Sequence, residues 1–356
     1  MNKLNVCILF GGVSPEHEVS LRSAESVLNH MNPEKYNIFP VGITKTGDWI
    51  LYGGTDYSEL PAGTWKENPA NSRAAISPIR GQGLLCFEGD RVNYKAIDVA
   101  FPILHGENGE DGAMQGLLKI AGIPYVGPHV AESAVSMDKT LTKLVMDQAG
   151  IPQADWLLVK NGDLSSRMDA VLDMVENRFE YPVFVKPAGT GSSVGVSKAV
   201  DRTALQAALE LAGKFDKKIL VEECILGREV EVAVMGNNSP VVSVCGEIDS
   251  GADFYDYDAK YITDTSVAYI PARISEDTAE QVREFAAKAY SAIGCQGLSR
   301  VDFFVTYEGE KIVFNEINTL PGFTSISMYP KLFAASGIAY EQLIDSLLQL
   351  AMESER

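Results

Sequence analysis

The sequence predicts a protein built of α/β and α+β units that opens with a wound α/β domain. The first observation is an apolar run at 4–10, followed by Gly11-Gly12 and then by apolar residues at helical spacing, which is the order strand, turn, helix. The second is that short apolar strands and amphipathic helices keep alternating towards the C-terminus. At 356 residues the chain exceeds what one hydrophobic core usually fills, so we expect two or three domains.

Composition argues against several classes of protein. The formal charge of −18 disfavours a nucleic-acid-binding surface, which needs a basic face, although a small nucleotide needs only a few lysines. The five cysteines are scattered and form no Cys-x-x-Cys motif, which is typical of free thiols in a reducing compartment. The N-terminal apolar run is too short for a signal peptide, and no run approaches the ~18 residues of a membrane span. We therefore expect a cytoplasmic protein without a membrane partner.

The first unit is expected at 1–136. A helix should follow the glycine turn, and the carboxylate of Glu16 in that turn indicates that it meets a positive group rather than a phosphate. The turn is not G-x-G-x-x-G, so the fingerprint of a dinucleotide-binding dehydrogenase is absent. The later elements of this unit are predicted as a buried strand ending near His105, a helix stopped by Gly122 and a strand at 123–127.

Two further units are expected at 137–223 and 224–356, with no long linker between them. The second unit should hold, in chain order, a helix at 137–151, strands at 155–160, 181–187 and 192–199, a helix capped by Asp201 and a strand at 218–225. The third should hold a strand at 229–236, an acidic loop at 246–272, a helix capped by Ser275, a hairpin from Arg300 to Asn318 and two terminal helices.

The loop at 184–198 is the clearest predicted anion site. Lys186 ends a predicted strand, and several glycines and serines follow, including Ser192 and Ser193. Small residues let backbone N–H groups approach an anion, hydroxyl groups add donors, and the lysine adds a positive charge. The loop is not a Walker loop, because its lysine precedes the glycines and a strand follows. A flexible hairpin between two strands is the alternative interpretation.

Oxygen ligands lie along one face of the predicted C-terminal hairpin. Residues i and i+2 of a strand share a face, so Glu316 and Asn318 lie side by side, as do Arg300 and Asp302. Such ligands beside a cation suit a magnesium-bound phosphate, and a polar, solvent-facing hairpin is the alternative. A two-residue turn would set Asp302 opposite Asn315 and point Glu316 to the other face. A metal site therefore requires an odd-length loop or a β-bulge.

Three carboxylates give a weaker signal around the boundary of the second and third units: Glu222, Glu223 and Glu229. Backbone groups where a strand ends can pair with the edge of an adenine, and a carboxylate a few residues later can accept hydrogen bonds from a ribose. Surface carboxylates are common, so taken alone this segment favours ordinary surface residues.

The order of these features resembles the ATP-grasp superfamily and, within it, the D-alanine:D-alanine ligase family. The resemblance covers nearly the whole chain and rests on the segments GGVSPEHEVSLRSA, HGENGEDGAMQG, MDK, KPAGTGSSVG, LGREVEV, FYDYDAKY, RVDFF and NEINTLPGFTSIS. It implies two α+β domains that clamp ATP, and the synthesis of D-alanyl-D-alanine for peptidoglycan. In that reaction ATP phosphorylates the first D-alanine, and the amine of the second attacks the acyl phosphate. Dimers are usual in the family, so a homodimer is expected.

The resemblance also implies roles for individual residues. Nucleotide contacts are implied for Lys139, Lys186, Ser193, Glu222, Glu223, Glu229 and Lys260. Two Mg²⁺ or Mn²⁺ ions are implied on Asp302, Glu316 and Asn318, and oxyanion stabilisation is implied for Arg300 and the N–H of Gly322. Glu16 would take the ammonium of the first substrate and be hydrogen-bonded to Ser192 and Tyr261. His105 would lie beside the first substrate, and Ser327 would hold the carboxylate of the second.

Ligases that join D-alanine to D-serine or D-lactate are the nearest alternative. The resemblance implies that D-lactate ligases lack the Lys260-Tyr261 pair present here. It also implies that D-serine ligases tend to carry arginine in place of Met328, whose apolar side chain suits a methyl group. A D-alanine:D-serine ligase of the glycopeptide-resistance type is therefore the second reading. A regulatory protein on an inactive scaffold would be expected to have lost metal ligands, and none is missing. Gly189 departs from the family, because many relatives carry arginine there.

Overall fold

The computed structural model describes residues 3–249 and 267–353, and within them the chain forms three β-sheets flanked by helices. The predicted mixture of α/β and α+β units is confirmed. Within the described ranges no helix is long and apolar enough to cross a membrane.

The N-terminal sheet has seven strands in the order β6-β5-β4-β3-β2-β1-β7. Its strands are β1 (Leu4–Gly11), β2 (Tyr36–Ile43), β3 (Trp49–Leu51), β4 (Ser72–Ile76), β5 (Leu84–Glu88), β6 (Arg91–Lys95) and β7 (Val99–Leu104). Its helices are α1 (His17–His30), α2 (Glu59–Ala62) and α3 (Ala113–Ala121). β1 runs parallel to β2 and β7, while β3 to β6 extend the sheet in antiparallel fashion.

Two segments predicted as strands differ in the structure. The segment at 123–127 forms only an isolated bridge, because Pro124 has no N–H to continue a ladder beyond the hydrogen bonds around Ala100. The strand predicted at 192–199 is confined to 197–199. Ser192 and Ser193 have φ values of 50° and 57°, which an extended strand does not allow.

The middle sheet is antiparallel throughout, in the order β10-β9-β11-β8. This region holds α4 (Val130–Met137), α5 (Lys139–Ala149), β8 (Trp156–Lys160), α6 (Asn161–Glu176), β9 (Val183–Pro187), β10 (Ser197–Ala199), α7 (Arg202–Ala212) and β11 (Lys218–Glu223). The predicted cap of α7 is confirmed, since the Asp201 side chain accepts a hydrogen bond from the N–H of Ala204. α5 begins in the same way, with Asp138 accepting from the N–H groups of Thr140 and Leu141.

The C-terminal sheet has the strand order β14-β13-β12-β15-β16. Its region holds β12 (Gly227–Met235), β13 (Val241–Asp249), β14 (Val267–Tyr269), α8 (Glu276–Ile293), β15 (Leu298–Thr306), β16 (Ile312–Asn318), α9 (Met328–Ala335) and α10 (Tyr340–Glu353). Ser275 caps α8 as predicted, by accepting from the N–H of Thr278.

One hydrophobic core joins the first and last parts of the chain. Val6 and Phe10 of β1 belong to the same buried cluster as Leu347 of α10 and Phe323, which lies in the loop before α9. The Phe323 ring is 1% exposed and meets the ring of Phe101 edge-on at 5.6 Å. This core fixes the loop at 319–327 against the N-terminal domain. The three sheets fall inside the units predicted at 1–136, 137–223 and 224–356, whose boundaries stay a prediction.

Candidate active site

A β-bulge in the hairpin of β15 and β16 brings the predicted metal ligands to one face. Asp302 pairs with Glu316, and Arg300 pairs with Asn318, but the register shifts after Asp302, so that Phe303 pairs with Phe314. The extra residue is Asn315, and directly opposed residues of an antiparallel pair point to the same face. The expectation that a metal site requires a bulge is therefore met by the hairpin geometry.

Arg300 lies between two carboxylates, and we call this set the arginine cluster (Arg300, Asp302 and Glu231). Its guanidinium donates to both oxygens of Asp302, at 2.7 and 2.6 Å. Its Nε also lies 3.0 Å from Oε2 of Glu231, which is opposite Asp302 on β12. Although burial by itself would lower it, the pKa of Arg300 is held well above its ordinary value by Asp302 and Glu231. The cluster carries one more negative than positive charge.

The donor set fits a magnesium ion completed by phosphate oxygens. Asp302 and Glu316 supply carboxylates, and Asn318, whose Nδ2 donates to Asp302 at 2.9 Å, supplies an amide. Among the described residues no three histidine, cysteine or acidic side chains converge to hold a metal without outside ligands. The two carboxylates and the amide are the oxygen ligands that Mg²⁺ takes in proteins, with its remaining positions filled by water and substrate phosphates.

A second buried set has the opposite composition, and we call it the lysine cluster (Glu222, Lys143 and Lys186). The Glu222 carboxylate lies 2.5 Å from Nζ of Lys143 through one oxygen and 2.6 Å from Nζ of Lys186 through the other. Burial by itself would raise the pKa of Glu222, but Lys186 and Lys143 together hold it at about 2. The pKa of Lys186 is raised, because the attraction of Glu222 outweighs its burial. The carboxylate is therefore ionised, and the cluster carries a surplus positive charge.

The glycine- and serine-rich loop is held closed over the sheets. The hydroxyl of Ser192 donates to the carboxylate of Glu16, a contact between the middle and N-terminal regions that matches the expected pair. Lys139 donates to the carbonyl of Thr190 at 2.8 Å, and its Nζ lies 3.8 Å from Oε2 of Glu316. At the base of the loop the N–H of Gly189 donates to Asp216 at 2.6 Å. Lys139 thus links the loop to the strand that carries the predicted metal ligands.

His105 is a buried, neutral link between α1 and the loop before α9. Burial lowers its pKa. Nδ1 donates to the carbonyl of Leu320 at 2.9 Å, so Nε2, 3.1 Å from the hydroxyl of Ser23, is left as an acceptor. Ser23 in turn accepts from the N–H of Phe323 at 3.2 Å. The imidazole therefore positions the segment that contains Gly322.

Glu110 holds the same segment from the other side. Its carboxylate accepts hydrogen bonds from the N–H groups of Gly106 at 2.9 Å and Leu320 at 3.0 Å. Burial, reinforced by the negative charge of Glu16, raises the pKa of Glu110 to about 8. The raised pKa favours the protonated carboxyl, which limits the negative charge beside Glu16.

Gly322 and Ser327 lie in close contact at the entrance to α9. A Cβ atom on Gly322 would lie 2.8 Å from the hydroxyl oxygen of Ser327, so only glycine fits without displacement. Among the described residues no hydrogen bond from the N–H of Gly322 is formed. The Ser327 hydroxyl contacts Thr324, accepting from its N–H at 3.0 Å. Met328 is 6% exposed and packs towards Gly246 of β13.

Two cavities meet at this point. The first has a volume of about 960 Å³, and we name it the substrate cavity after the predictions for its lining residues Glu16, His105, Arg300, Gly322, Ser327 and Met328. The second has a volume of about 590 Å³, and we name it the nucleotide cavity after the predictions for its lining residues Lys186, Ser193, Glu222, Glu223 and Glu229. Both include a shared wall of Lys139, Ser192, Ile248 and Glu316.

Some predicted residues have a different immediate partner or lie outside the described chain. The Glu223 carboxylate accepts from the N–H of Asp155 at 2.8 Å, so its side chain braces the end of β11. Asp302 is 7% exposed and does not line either cavity. Lys260 and Tyr261 lie outside the described residues.

Three residues of the site were missed from the sequence: Lys143, Glu231 and Glu110. Lys143 follows Lys139 by one helical turn, and Glu231 follows Glu229 by two strand positions, so both share a face with a residue that was identified. Glu110 lies in the HGENGEDG segment that was quoted. The spacing of these residues from identified site residues was the available signal. Spacing alone does not show which side chain is buried against an oppositely charged partner.

An N-terminal α/β domain, followed by two sheets that carry a glycine- and serine-rich loop and an acidic hairpin, defines an ATP-grasp ligase architecture. The chain belongs to the D-alanine–D-alanine ligase family. The family model described as D-ala D-ala ligase N-terminus matches residues 5–128, and the one described as D-ala D-ala ligase C-terminus matches 145–349.

Similar proteins of known name agree with this assignment. The chain is 49% identical to a D-alanine–D-alanine ligase of Acetivibrio thermocellus, with 99% of this chain and 96% of the relative covered. It is 50% identical to the enzyme of that name from Ruminiclostridium cellulolyticum, with the same coverage. Among solved structures it is similar to the VanG D-Ala:D-Ser ligase from Enterococcus faecalis, with TM-score 0.89, 39% identity and coverage of 98% and 100%. It is also similar to the D-alanine-D-alanine ligase from Coxiella burnetii, with TM-score 0.84, 35% identity and coverage of 99% and 96%.

Proposed function

We propose that the protein ligates two D-alanine molecules to D-alanyl-D-alanine, using ATP and an acyl phosphate, for peptidoglycan synthesis. The observation that carries this proposal is the shared wall between the two cavities. A phosphoryl group held at Lys139 and Ser192 would be reached from a nucleotide on one side and from a carboxylate substrate on the other. Direct transfer of a phosphoryl group between two bound ligands requires that their binding sites adjoin, as these two cavities do.

The first half-reaction is assigned to the residues around the shared wall. Lys139 and Lys186 would balance the charge of the γ-phosphate as it moves to the carboxylate of the first D-alanine, because phosphoryl transfer between anions needs positive charge. Glu16 would take the ammonium of that substrate, and its hydrogen bond to Ser192 would keep the loop closed. His105 would border the substrate in its neutral form. Tyr261 is proposed to be hydrogen-bonded to Glu16 together with Ser192.

The second half-reaction is assigned to the hairpin and the loop before α9. When the amine of the second D-alanine attacks, a negative oxygen develops on the acyl carbon, and Arg300 and the N–H of Gly322 would donate to it. The pKa of Arg300 lies well above its ordinary value, so that donor stays charged at every working pH. Ser327 would hold the carboxylate of the second substrate.

Metal ions complete the proposal. Asp302, Glu316 and Asn318 would hold two Mg²⁺ or Mn²⁺ ions, which when bound would neutralise the phosphates and fix their orientation. Lys260 is proposed as a phosphate contact in addition to Lys139 and Lys186. Ser193, Glu222, Glu223 and Glu229 are proposed as the nucleotide contacts that line the same cavity.

D-Alanine is preferred over D-serine as the second substrate in this proposal. Relatives named as D-alanine–D-alanine ligases reach 49% and 50% identity. Among the solved structures the D-Ala:D-Ser ligase, at 39%, is more similar than the D-alanine-D-alanine ligase from Coxiella burnetii, at 35%, so the preference is argued from the residues of the cavity. Met328, at the start of α9 on the substrate cavity, offers a D-serine hydroxyl no hydrogen-bond partner. A buried hydroxyl without a partner costs about 1–3 kcal/mol, which corresponds to a clear but incomplete preference.

Phosphate release from ATP, with analysis of the products, tests the proposal. The enzyme should release phosphate with D-alanine alone and form mainly D-alanyl-D-alanine when D-alanine and D-serine are present at equal concentration. Met328→Arg should shift the product ratio towards D-alanyl-D-serine by supplying a donor. A wild-type enzyme that forms mainly D-alanyl-D-serine would overturn the assignment, and absence of D-alanine-dependent phosphate release would exclude the ligase itself.

Two further features belong to the proposal. We expect a homodimer in the cytoplasm, where ATP and peptidoglycan precursors are available. The five cysteines are all free in the structure, which suits a reducing compartment.

A further inference from the structure

Lys143 is a fully buried lysine for which the proposed chemistry gives no role. It lies on α5, one turn after Lys139, and its side chain is 2% exposed. Its Nζ lies 2.5 Å from Glu222 and 3.4 Å from Oε1 of Gln153. Buried lysines are rare unless they are paired, because removing an ammonium group from water is unfavourable. A buried charge outside the reacting groups therefore calls for an explanation.

Lys143 does not line either cavity, so it does not act on the nucleotide directly. Lys186 does line the nucleotide cavity, and its side chain is 15% exposed. Glu222 touches both lysines through different oxygens. Only one of the two cations is therefore placed to contact a nucleotide.

The difficulty for Lys186 is that it is attracted both to a phosphate and to Glu222. If Lys186 were the sole partner of that carboxylate, moving towards a phosphate would leave a buried negative charge unpaired, which is strongly unfavourable. A second, permanent cation removes this conflict, since Glu222 stays paired while Lys186 changes partners. Lys143 is in that position.

We propose that Lys143 is a positioning residue that acts as the permanent counter-ion of Glu222 and so allows Lys186 to contact the nucleotide phosphates. The inference rests on the proposed function, because it places a nucleotide in the cavity that Lys186 lines. The proposal therefore predicts that removing Lys143 weakens nucleotide binding when Lys186 is present and has little effect when Lys186 is absent.

A double-mutant cycle with ADP as the probe tests this dependence. Calorimetry on the full chain would compare wild type, Lys143→Met, Lys186→Met and the double variant. Lys143→Met should weaken ADP binding by about tenfold or more, because Lys186 then remains tied to Glu222. In the Lys186→Met background the same change should alter the affinity by less than about twofold. Equal weakening in both backgrounds would show a merely structural or long-range charge effect and overturn the inference.

Two controls keep the result interpretable. Lys218→Met also removes one positive charge, from β11, and breaks a pair with Asp138, but Lys218 lines neither cavity, so ADP affinity should change little. If Lys143→Met does not fold, as judged by thermal melting, Lys143→Arg and Lys143→Gln take its place. Arginine keeps a cation beside Glu222 and should bind ADP within a few-fold of wild type, whereas glutamine removes that cation and should weaken binding by about tenfold. Equal ADP affinities of these two variants would contradict the inference. Wild type that does not bind ADP would instead contradict the proposed function.

Discussion

The arginine cluster, in the C-terminal sheet, and the lysine cluster, between the middle sheet and α5, have opposite arrangements of charge. In the first, one cation lies between two carboxylates, Asp302 and Glu231. In the second, one carboxylate, Glu222, lies between two cations. Each cluster is buried and carries one surplus charge. The first surplus is negative, where a divalent cation is proposed, and the second is positive, where phosphates are proposed.

The difference shows that the charge balance of a buried cluster is independent of the net charge of the chain. The whole protein carries a formal charge of −18, yet the lysine cluster, with Lys143 and Lys186 around Glu222, has a surplus positive charge. A buried charge interacts through a medium of low dielectric constant, so a single surplus charge there outweighs many distant solvent-screened ones.

Removing Lys186, the cation of the lysine cluster that lines the nucleotide cavity, should have the largest effect. Lys186→Ala should lower ATP-dependent ligation by roughly a thousandfold, because it deletes a charge that faces the transferred phosphate. The fold should persist, since Lys143 still pairs with Glu222. Phosphate release and thermal melting measure the two effects. Near-normal turnover would show that the loop at 184–198 is only a hairpin.

Neutralising the central carboxylate should change the pH dependence of stability. The pKa of Glu222 is about 2 in the folded protein against an ordinary value of 4.5, a difference that corresponds to roughly 3 kcal/mol. Because the folded pKa is depressed, this stabilisation is complete above about pH 4.5 and is lost as the pH falls towards 2. Glu222→Gln should therefore be destabilised most at neutral pH. Urea unfolding of wild type and Glu222→Gln from pH 7 to pH 3 should show that the difference between their free energies of unfolding becomes smaller. A difference that stays constant would contradict the ion-pair explanation.

Removing the Glu231 carboxylate from the arginine cluster should have a smaller effect, which is confined to metal affinity. Glu231→Gln leaves Arg300 paired with Asp302 alone, so the guanidinium should compete more strongly with a metal for that carboxylate. We expect Mn²⁺ affinity to fall by about tenfold, as is usual when a supporting partner of a metal ligand is removed. Electron paramagnetic resonance of free Mn²⁺ in the presence of ADP would measure it. Glu247→Gln, which removes a buried carboxylate of β13 paired with Arg273, provides a comparison and should alter Mn²⁺ affinity less.

The hairpin shows how far the sequence could lead. The two-residue spacing placed Glu316 beside Asn318 and Arg300 beside Asp302, since side chains alternate along any strand. Whether the two pairs faced each other depended on one extra residue, Asn315, and the sequence stated only that a bulge was required. Register across strands is set by packing and turn geometry rather than by either strand alone.

The N-terminal region shows the opposite outcome. The parallel strands β1 and β7 and helix α1 were visible, because buried parallel strands are continuously apolar. The antiparallel extension by β3 to β6 was missed, because these strands have three to five residues and are partly exposed. The segment at 123–127 was mistaken for a strand, because its apolar residues are buried without a neighbouring ladder.

By itself the sequence determined the order of most helices and strands and the helix caps at Asp201 and Ser275, because these depend on patterns along one chain. The roles of the lysines and oxygen ligands came from the resemblance to the family and stay a prediction. Only the tertiary structure decided which charges are paired. Lys143 meets Glu222, and Glu231 meets Arg300, across elements that are distant in sequence or on different strands. The energy of a buried charge depends on the partners that folding brings within a few ångströms, and that proximity is a property of the whole fold.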